Sequence, residues 1–209
     1  MSNVVGINEF VGTANGETHC WLCQKPLSIR ALFCHFCGTV QPVREIDHFT
    51  RLGLDRSLDV DGELLERQYK ALNKSLDPER FLIRGIGERG HASKQRDALN
   101  EAYETLRKPL KRGRYWLRLQ GKELDGDQEP SSLMADLRQE LLAACDPCQC
   151  DRAAQKAGQL LEQGVVLLMK ALREENWAEA NAILVRLDGI DGFCDEVRVR
   201  RKELCGIQH

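Results

Sequence analysis

The sequence predicts an all-α protein. Two observations carry that reading, and a third marks where it stops. Apolar residues recur three and four apart, first at Leu64, Leu65, Tyr69, Leu72 and Leu76 and again at Leu99, Ala102, Tyr103, Leu106 and Leu110. Ala, Leu, Glu, Arg and Gln are plentiful, while strand-type alternation is rare and aromatic residues make up only 6%. Near the N-terminus, four cysteines in two close pairs break the helical pattern.

The 209 residues suffice for one large or two small domains. A net charge of -2 gives no reason to expect nucleic acid or an anionic membrane as partner. No apolar run approaches the roughly 20 residues of a membrane span. The opening residues read neither as a signal peptide nor as an Arg-rich transit peptide, so the expected compartment is the cytoplasm. Nine cysteines is a high and odd count, which in a reducing compartment points to metal rather than disulfides.

Residues 1–18 read as a loose leader. Residues 19–43 contain Cys20, Cys23, Cys34 and Cys37, spaced C-x2-C, ten residues, C-x2-C. Each pair can form a tight knuckle, and two knuckles offer four thiolates in a tetrahedron, the geometry of structural zinc. Gly38 suits the second knuckle's backbone. Iron in a rubredoxin-like site is open to the same ligands. Four free thiols in a small core is the weaker alternative, because so short a segment buries little apolar area alone. Four protein ligands close the site, so hydrolysis at this metal is not expected. His19 and His35 are expected to be exposed or supporting residues.

In residues 44–63, Phe49, Leu52, Leu54, Leu58 and Val60 are candidate core, and Asp61 is the expected N-cap of the helix that follows. That helix runs over 64–76 and exposes Arg67, Lys70 and Lys74. Asp77-Pro78-Glu79 forms a turn anchored by Phe81. Gly85, Gly87 and Gly90 predict a flexible loop over 82–93. It lacks the G-K-[ST] ending and the preceding strand of a phosphate-binding loop. The next helix covers 94–120, interrupted at Pro109.

Residues 121–130 read as a linker, with two Gly, a Pro and four acids. Three helices over 131–209 predict an antiparallel bundle, with Ser131 or Ser132 as a cap and a stripe at Leu133, Met134, Leu137, Leu141 and Leu142. Asp146-Pro147 interrupts it and sets Cys145, Cys148 and Cys150 on a turn. Three thiolates so close can hold a second metal or receive a cluster, with Cys194 or Cys205 as a fourth ligand. The alternative is a short loop of reduced thiols.

These residues together resemble a known family. N-E-A-Y-x-T-L followed by P-L-x-R-x-x-Y, after a basic helix and a Pro-centred tripeptide before Phe, is similar to a J domain. D-H-F-T-R-L-G-L, the C-W-x-C…C-x-x-C knuckle and the Leu-Met stripe with E-x-x-W-x-x-A match the HscB/Jac-type J-domain co-chaperones of iron–sulfur cluster assembly. The resemblance covers about residues 20 to 205. It implies an L-shaped helical protein with three parts: a zinc knuckle, a J-like domain over 44–120, and a C-terminal three-helix bundle that binds the cluster scaffold.

The resemblance also implies that Arg67, Lys70, Lys74, Asp77, Pro78 and Glu79 meet a DnaK-type chaperone, and that Leu133, Met134, Leu137 and Ile190 meet the scaffold. Two departures matter. The family signature His-Pro-Asp reads Asp77-Pro78-Glu79, and an ionised carboxylate accepts hydrogen bonds where an imidazole can donate. The aromatic position near the last helix reads Gly189. The expected function is thus a non-enzymatic co-chaperone of iron–sulfur biogenesis. The alternative is a J-like adaptor, or a metal or cluster carrier, that has left the ATPase cycle. A zinc-ribbon nucleic-acid binder is disfavoured by the lack of a dense basic patch.

Overall fold

The computed structural model describes residues 16–122 and 132–206, without the side chains of 132, 133 and 206. Most of the expected leader, most of the expected linker and the Ser131 cap lie outside the described residues. The elements in order are β1 (Glu17–His19), β2 (Pro26–Ser28), α1 (His48–Leu52), α2 (Gly62–Ser75), a 3-10 turn (Pro78–Phe81), α3 (Ile86–Arg107), α4 (Pro109–Leu119), α5 (Ser132–Leu142), α6 (Pro147–Arg173) and α7 (Trp177–Gly206). The all-α expectation holds, with one two-stranded antiparallel sheet at the knuckle pairing Thr18 with Leu27. The chain divides into two compact units, Met1–Arg107 and Lys108–His209.

In the first unit, local capping sets the helix starts. Asp47 accepts the Thr50 N–H at 3.0 Å and the Thr50 hydroxyl at 2.7 Å, which opens α1. Gly53, at φ 68°, closes it in the left-handed conformation that favours glycine. The short helix turns Phe49 and Leu52 fully inward. Asp61 caps α2 as expected, accepting from Glu63 and Leu64.

Helices α2 and α3 form the predicted hairpin. Tyr69 stacks on Tyr103 at 4.0 Å between ring centres. The Tyr69 hydroxyl donates to Asn100 at 2.9 Å, and the Tyr103 hydroxyl donates to Glu66. Arg96 donates to Asn73 at 3.1 Å. Below these polar contacts lie Leu65, Leu76, Leu99, Ala102 and Leu106, all buried.

The Gly-rich loop expected over 82–93 is corrected. Helix α3 begins at Ile86, so Gly87 and Gly90 are helical. Each costs about 1 kcal/mol against Ala in a helix. Tertiary contacts of the same helical turns offset that cost: Glu88 and Ala92 are buried, and Trp21 lies edge-on to His91 with ring centres 5.0 Å apart.

In the second unit, α4 starts at Pro109, where the missing N–H is harmless, and packs on α6 and α7. Helix α5 packs on the same pair. The core holds Leu137, Leu168, Leu172, Leu187, Ile190 and Phe193. Between α6 and α7, Glu175 adopts φ 55° and Asn176 caps the next helix by accepting from Glu179. Close helix approach depends on two glycines. A Cβ on Gly113 would stand 2.9 Å from Leu168, and one on Gly164 only 2.3 Å from Leu187. No helix among the described residues is long and apolar enough to cross a membrane.

Two outcomes follow from these contacts. Gly164→Ala gains helix propensity of about 1 kcal/mol but must displace a fully packed leucine, an overpacking cost of about 1–3 kcal/mol. The variant is therefore expected to unfold at lower urea than the native chain. The second concerns Asp47. Burial pushes its carboxyl up, but the Arg56 guanidinium at 2.8 Å and the Thr50 donors outweigh this and hold it below the usual carboxylate range. A depressed folded-state value gives stability that is full above the unfolded value and lost as the pH falls through the folded one. Asp47→Ala should cost about 1 kcal/mol at neutral pH. Urea titrations should show the gap between variant and native chain narrowing in acid, below about pH 4.

Candidate metal centre and partner-facing turn

The two C-x2-C knuckles are built alike. In the first, the Cys20 N–H donates to the Lys25 carbonyl at 2.9 Å and the Gln24 N–H to the Cys20 carbonyl at 3.0 Å. In the second, Cys34 donates to Thr39 at 2.9 Å and Gly38 to Cys34 at 2.8 Å. The fourth residue after the leading cysteine has positive φ in both, 59° at Gln24 and 72° at Gly38. The sequence signalled only Gly38. Setting the two knuckles side by side places Gln24 at the same position, which is the signal that was available.

The backbone then aims donors at sulfur. The N–H groups of Leu22 and Cys23 point at Cys20 Sγ, those of Phe36 and Cys37 at Cys34 Sγ, and the Gln41 side-chain amide donates to Cys20 Sγ at 3.4 Å. Burial would raise the Cys20 thiol, but these donors outweigh it and bring it to about 6. Cys34 is lowered in the same way, against its burial. Cys37 has a backbone donor at Thr39 that works to lower it. Burial and the three neighbouring cysteines prevail and push it up to about 12. The arrangement favours thiolates yet cannot hold four negative charges together without a cation.

The sulfur positions fit such a cation. The four Sγ atoms lie within 4.8 Å of one another, with Cys20–Cys37 and Cys23–Cys34 both at 3.7 Å. A tetrahedron with metal–sulfur bonds of about 2.3 Å has edges of about 3.8 Å. Cys20, Cys23, Cys34 and Cys37 are thus a four-cysteine group able to hold one metal ion. His19 and His35 are exposed.

The knuckle is fastened to helix α3 by polar contacts that sequence reasoning missed. The Glu88 carboxylate accepts the Val40 N–H at 3.3 Å, and Gln95 donates to the carbonyls of Gln41 and Pro42, both at 3.0 Å. Trp21 donates its indole N–H to the Val40 carbonyl at 2.8 Å. No periodicity marks Glu88 or Gln95, because each is a polar residue in a polar-looking stretch.

Cys145, Cys148 and Cys150 are not brought together. Among the described residues, the cluster at Cys20 is the only gathered group of three or more His, Cys, Asp or Glu ligands. Cys145 lies before α6, but Cys148 and Cys150 are inside its first turn, because Asp146 caps the helix and Pro147 sits at its first position. Cys145 and Cys148 are exposed, while Cys150 is buried and its thiol is pushed up by burial. The three cysteines expected on a turn thus straddle a helix start instead.

Arg67, Lys70 and Lys74 are exposed along α2, with Lys70 paired to Glu66 at 3.0 Å. Pro78 and Glu79 are exposed at the following turn, and Phe81 anchors it, only 6% exposed. Asp77 accepts the Glu79 N–H at 3.1 Å, so its side chain caps the 3-10 turn.

Three residues of the expected scaffold face pack inward. Met134, Leu137 and Ile190 are 4%, 0% and 1% exposed and belong to the bundle core. Met134 packs beside Gly189, the position where the family resemblance implies an aromatic, with its Cγ and Sδ 3.7 Å from where a Cβ would stand. The side chain of Leu133 lies outside the described residues.

No protein-family model matches the chain. Among curated proteins, it is 30% identical to a co-chaperone protein HscB homolog of Vibrio cholerae, over 77% of this chain and the whole of that one. It is 27% identical to the iron-sulfur cluster co-chaperone protein HscB homolog of Arabidopsis thaliana, over 85% of this chain and 72% of the other. In fold it is similar to the crystal structure of human co-chaperone protein HscB, with a TM-score of 0.78 at 23% identity, covering 88% of this chain and 98% of that one. A J-like hairpin, a four-cysteine knuckle and an identity that spans the whole Vibrio relative make this chain a member of the HscB co-chaperone family.

Proposed function

We propose that this chain is a co-chaperone of iron–sulfur cluster biogenesis that links a cluster scaffold to a DnaK-type chaperone, with structural zinc in its four-cysteine group. The observation that carries the proposal is the exposed Pro78-Glu79 turn at the end of a basic helix face, in a member of the HscB family. Arg67, Lys70 and Lys74 would speed and orient encounter with an acidic chaperone surface. The turn would then meet the groups that govern ATP hydrolysis. The role is one of binding, in the cytoplasm, without catalysis by the chain itself.

The Asp77 carboxylate spends one oxygen on its own turn and has no proton to donate when ionised. Stimulation of the ATPase is therefore expected to be weak. The same contact supports the second reading, an adaptor that no longer stimulates. The scaffold is assigned to the second unit, with Leu133 and Leu142, which is 79% exposed on α5, as apolar contacts in place of the core residues Met134, Leu137 and Ile190.

Single-turnover ATP hydrolysis by a DnaK-type chaperone tests this reading. Asp77→His/Glu79→Asp should raise the stimulated rate about tenfold over the native chain, the worth of one hydrogen bond to a charged group. Pro78→Ala should remove the residual stimulation. An inert double variant would leave the adaptor reading in place. A native chain already as fast as the double variant would show that Asp77 is no handicap.

Metal analysis checks the other half. The purified chain should carry one zinc ion, and Cys34→Ser should lose it. Loss of the ion should remove amide-exchange protection at Val40 and Gln41 while Leu99–Leu106 stays protected.

A further inference from the structure

A cavity of about 260 Å³ opens between the metal knuckle and the helical hairpin of the first unit. Its walls come from the knuckle turn that follows β2, residues 29–32, from the connector at Pro42, Arg44 and Ile46, and from α1, α2 and α3. Half-buried Ile29, Leu32, Ile46 and Leu72 make the walls apolar, and buried Leu52 and Leu99 lie at the base.

The charged groups that line it are all of one sign. Arg30, Arg44 and Arg51 contribute, and no Asp or Glu lines the cavity, in a chain with slightly more acidic than basic residues. Arg30 is exposed at the rim. Arg44 is set deeper. Its guanidinium donates to the Ile29 carbonyl at 3.4 Å and to Gln41 Oε1 at 3.5 Å, both long contacts. A guanidinium carries five N–H donors, so capacity remains. Burial pulls Arg44 below its usual value, against an opposing influence from Cys20, so an anion placed against it would relieve a desolvated charge. Arg51 donates to the Arg44 backbone carbonyl at 2.8 Å, which ties its guanidinium to the same connector. Apolar walls with polar groups among them are the usual form of a small-molecule site, and Thr50, Gln68 and Gln95 join the arginines in this lining.

We propose that this cavity binds a small amphipathic carboxylate, a short acyl chain seated on the leucines with its carboxylate held by Arg30, Arg44 and Arg51. With about 30 Å³ per water as the yardstick, the space takes a ligand of roughly ten non-hydrogen atoms. A carboxylate suits the arginines because a planar fork of donors pairs with two oxygens at once. Nothing in the co-chaperone reading requires this site.

Sodium octanoate is the probe, titrated calorimetrically into the metal-loaded full chain at low salt. Saturable binding at one site per chain is expected, weakened as salt is raised. Arg30→Glu should weaken it about tenfold or more, the worth of one charge-assisted contact. Octan-1-ol, with the same chain and no charge, should bind at least about tenfold more weakly, and inorganic phosphate should not compete. Gln68→Trp places bulk against the same cavity without removing a core residue and should block binding, with metal content and melting temperature as the check on folding. Absence of saturable binding, equal binding of octanol, competition by phosphate at equal concentration, or full affinity in a folded Arg30→Glu chain would each overturn the proposal.

Discussion

The first unit depends on a buried carboxylate meeting one backbone N–H. Glu88 is 8% exposed, in the first turn of a helix that contains two glycines. A carboxylate out of water is stable only when its oxygens are satisfied. Val40 supplies one donor at 3.3 Å, and Arg84 stands 3.8 Å from the other oxygen. Gln95, two turns further along, satisfies two carbonyls of the same connector. These contacts explain why α3 starts at Ile86 despite its glycines. They also give the knuckle a fixed seat, which its own small core of Cys20, Leu27 and Cys34 could not provide.

Periodicity revealed the hairpin because each stripe faces a single partner. Leu65, Leu76, Leu99 and Leu106 fell where the spacing put them, and the Asp61 cap was legible from one residue type beside an apolar run. The metal ligands were legible for a similar reason, since cysteine spacing alone fixes a knuckle. Sequence reasoning failed where long-range contacts decide. A Gly-rich run became helix because the knuckle packs on it. A Leu-Met stripe says that a helix has an apolar face, but not whether that face meets core or partner. At Met134 and Leu137 it meets core.

The tripeptide separates shape from chemistry. Proline at the first position of the 3-10 turn, a side-chain cap from Asp77 and the Phe81 anchor each hold the loop locally. None of them requires the imidazole of the family signature. The Asp77 carboxylate serves as the cap, since a carboxylate is a good acceptor for a turn N–H, and it offers no imidazole donor at the surface. A turn can in this way keep its backbone path and lose its message. The basic face of α2, with Arg67, Lys70 and Lys74 exposed, does not depend on which residue opens the turn.

The acid-free cavity extends the same dependence on the knuckle. Ile29 to Leu32 come from the metal-binding segment, and Leu72 and Leu99 from the hairpin, so the cavity exists only while the knuckle is folded and seated. An ion held by the four-cysteine group would stabilise so small a segment. A ligand in the cavity and a metal in the knuckle therefore stabilise the same arrangement of chain, and each must raise the affinity for the other by an equal factor. Arg44 makes the coupling physical: its backbone carbonyl accepts from Arg51, its guanidinium reaches Gln41, and the Gln41 amide donates to Cys20 Sγ. One chain of hydrogen bonds runs from the cavity wall to a metal ligand.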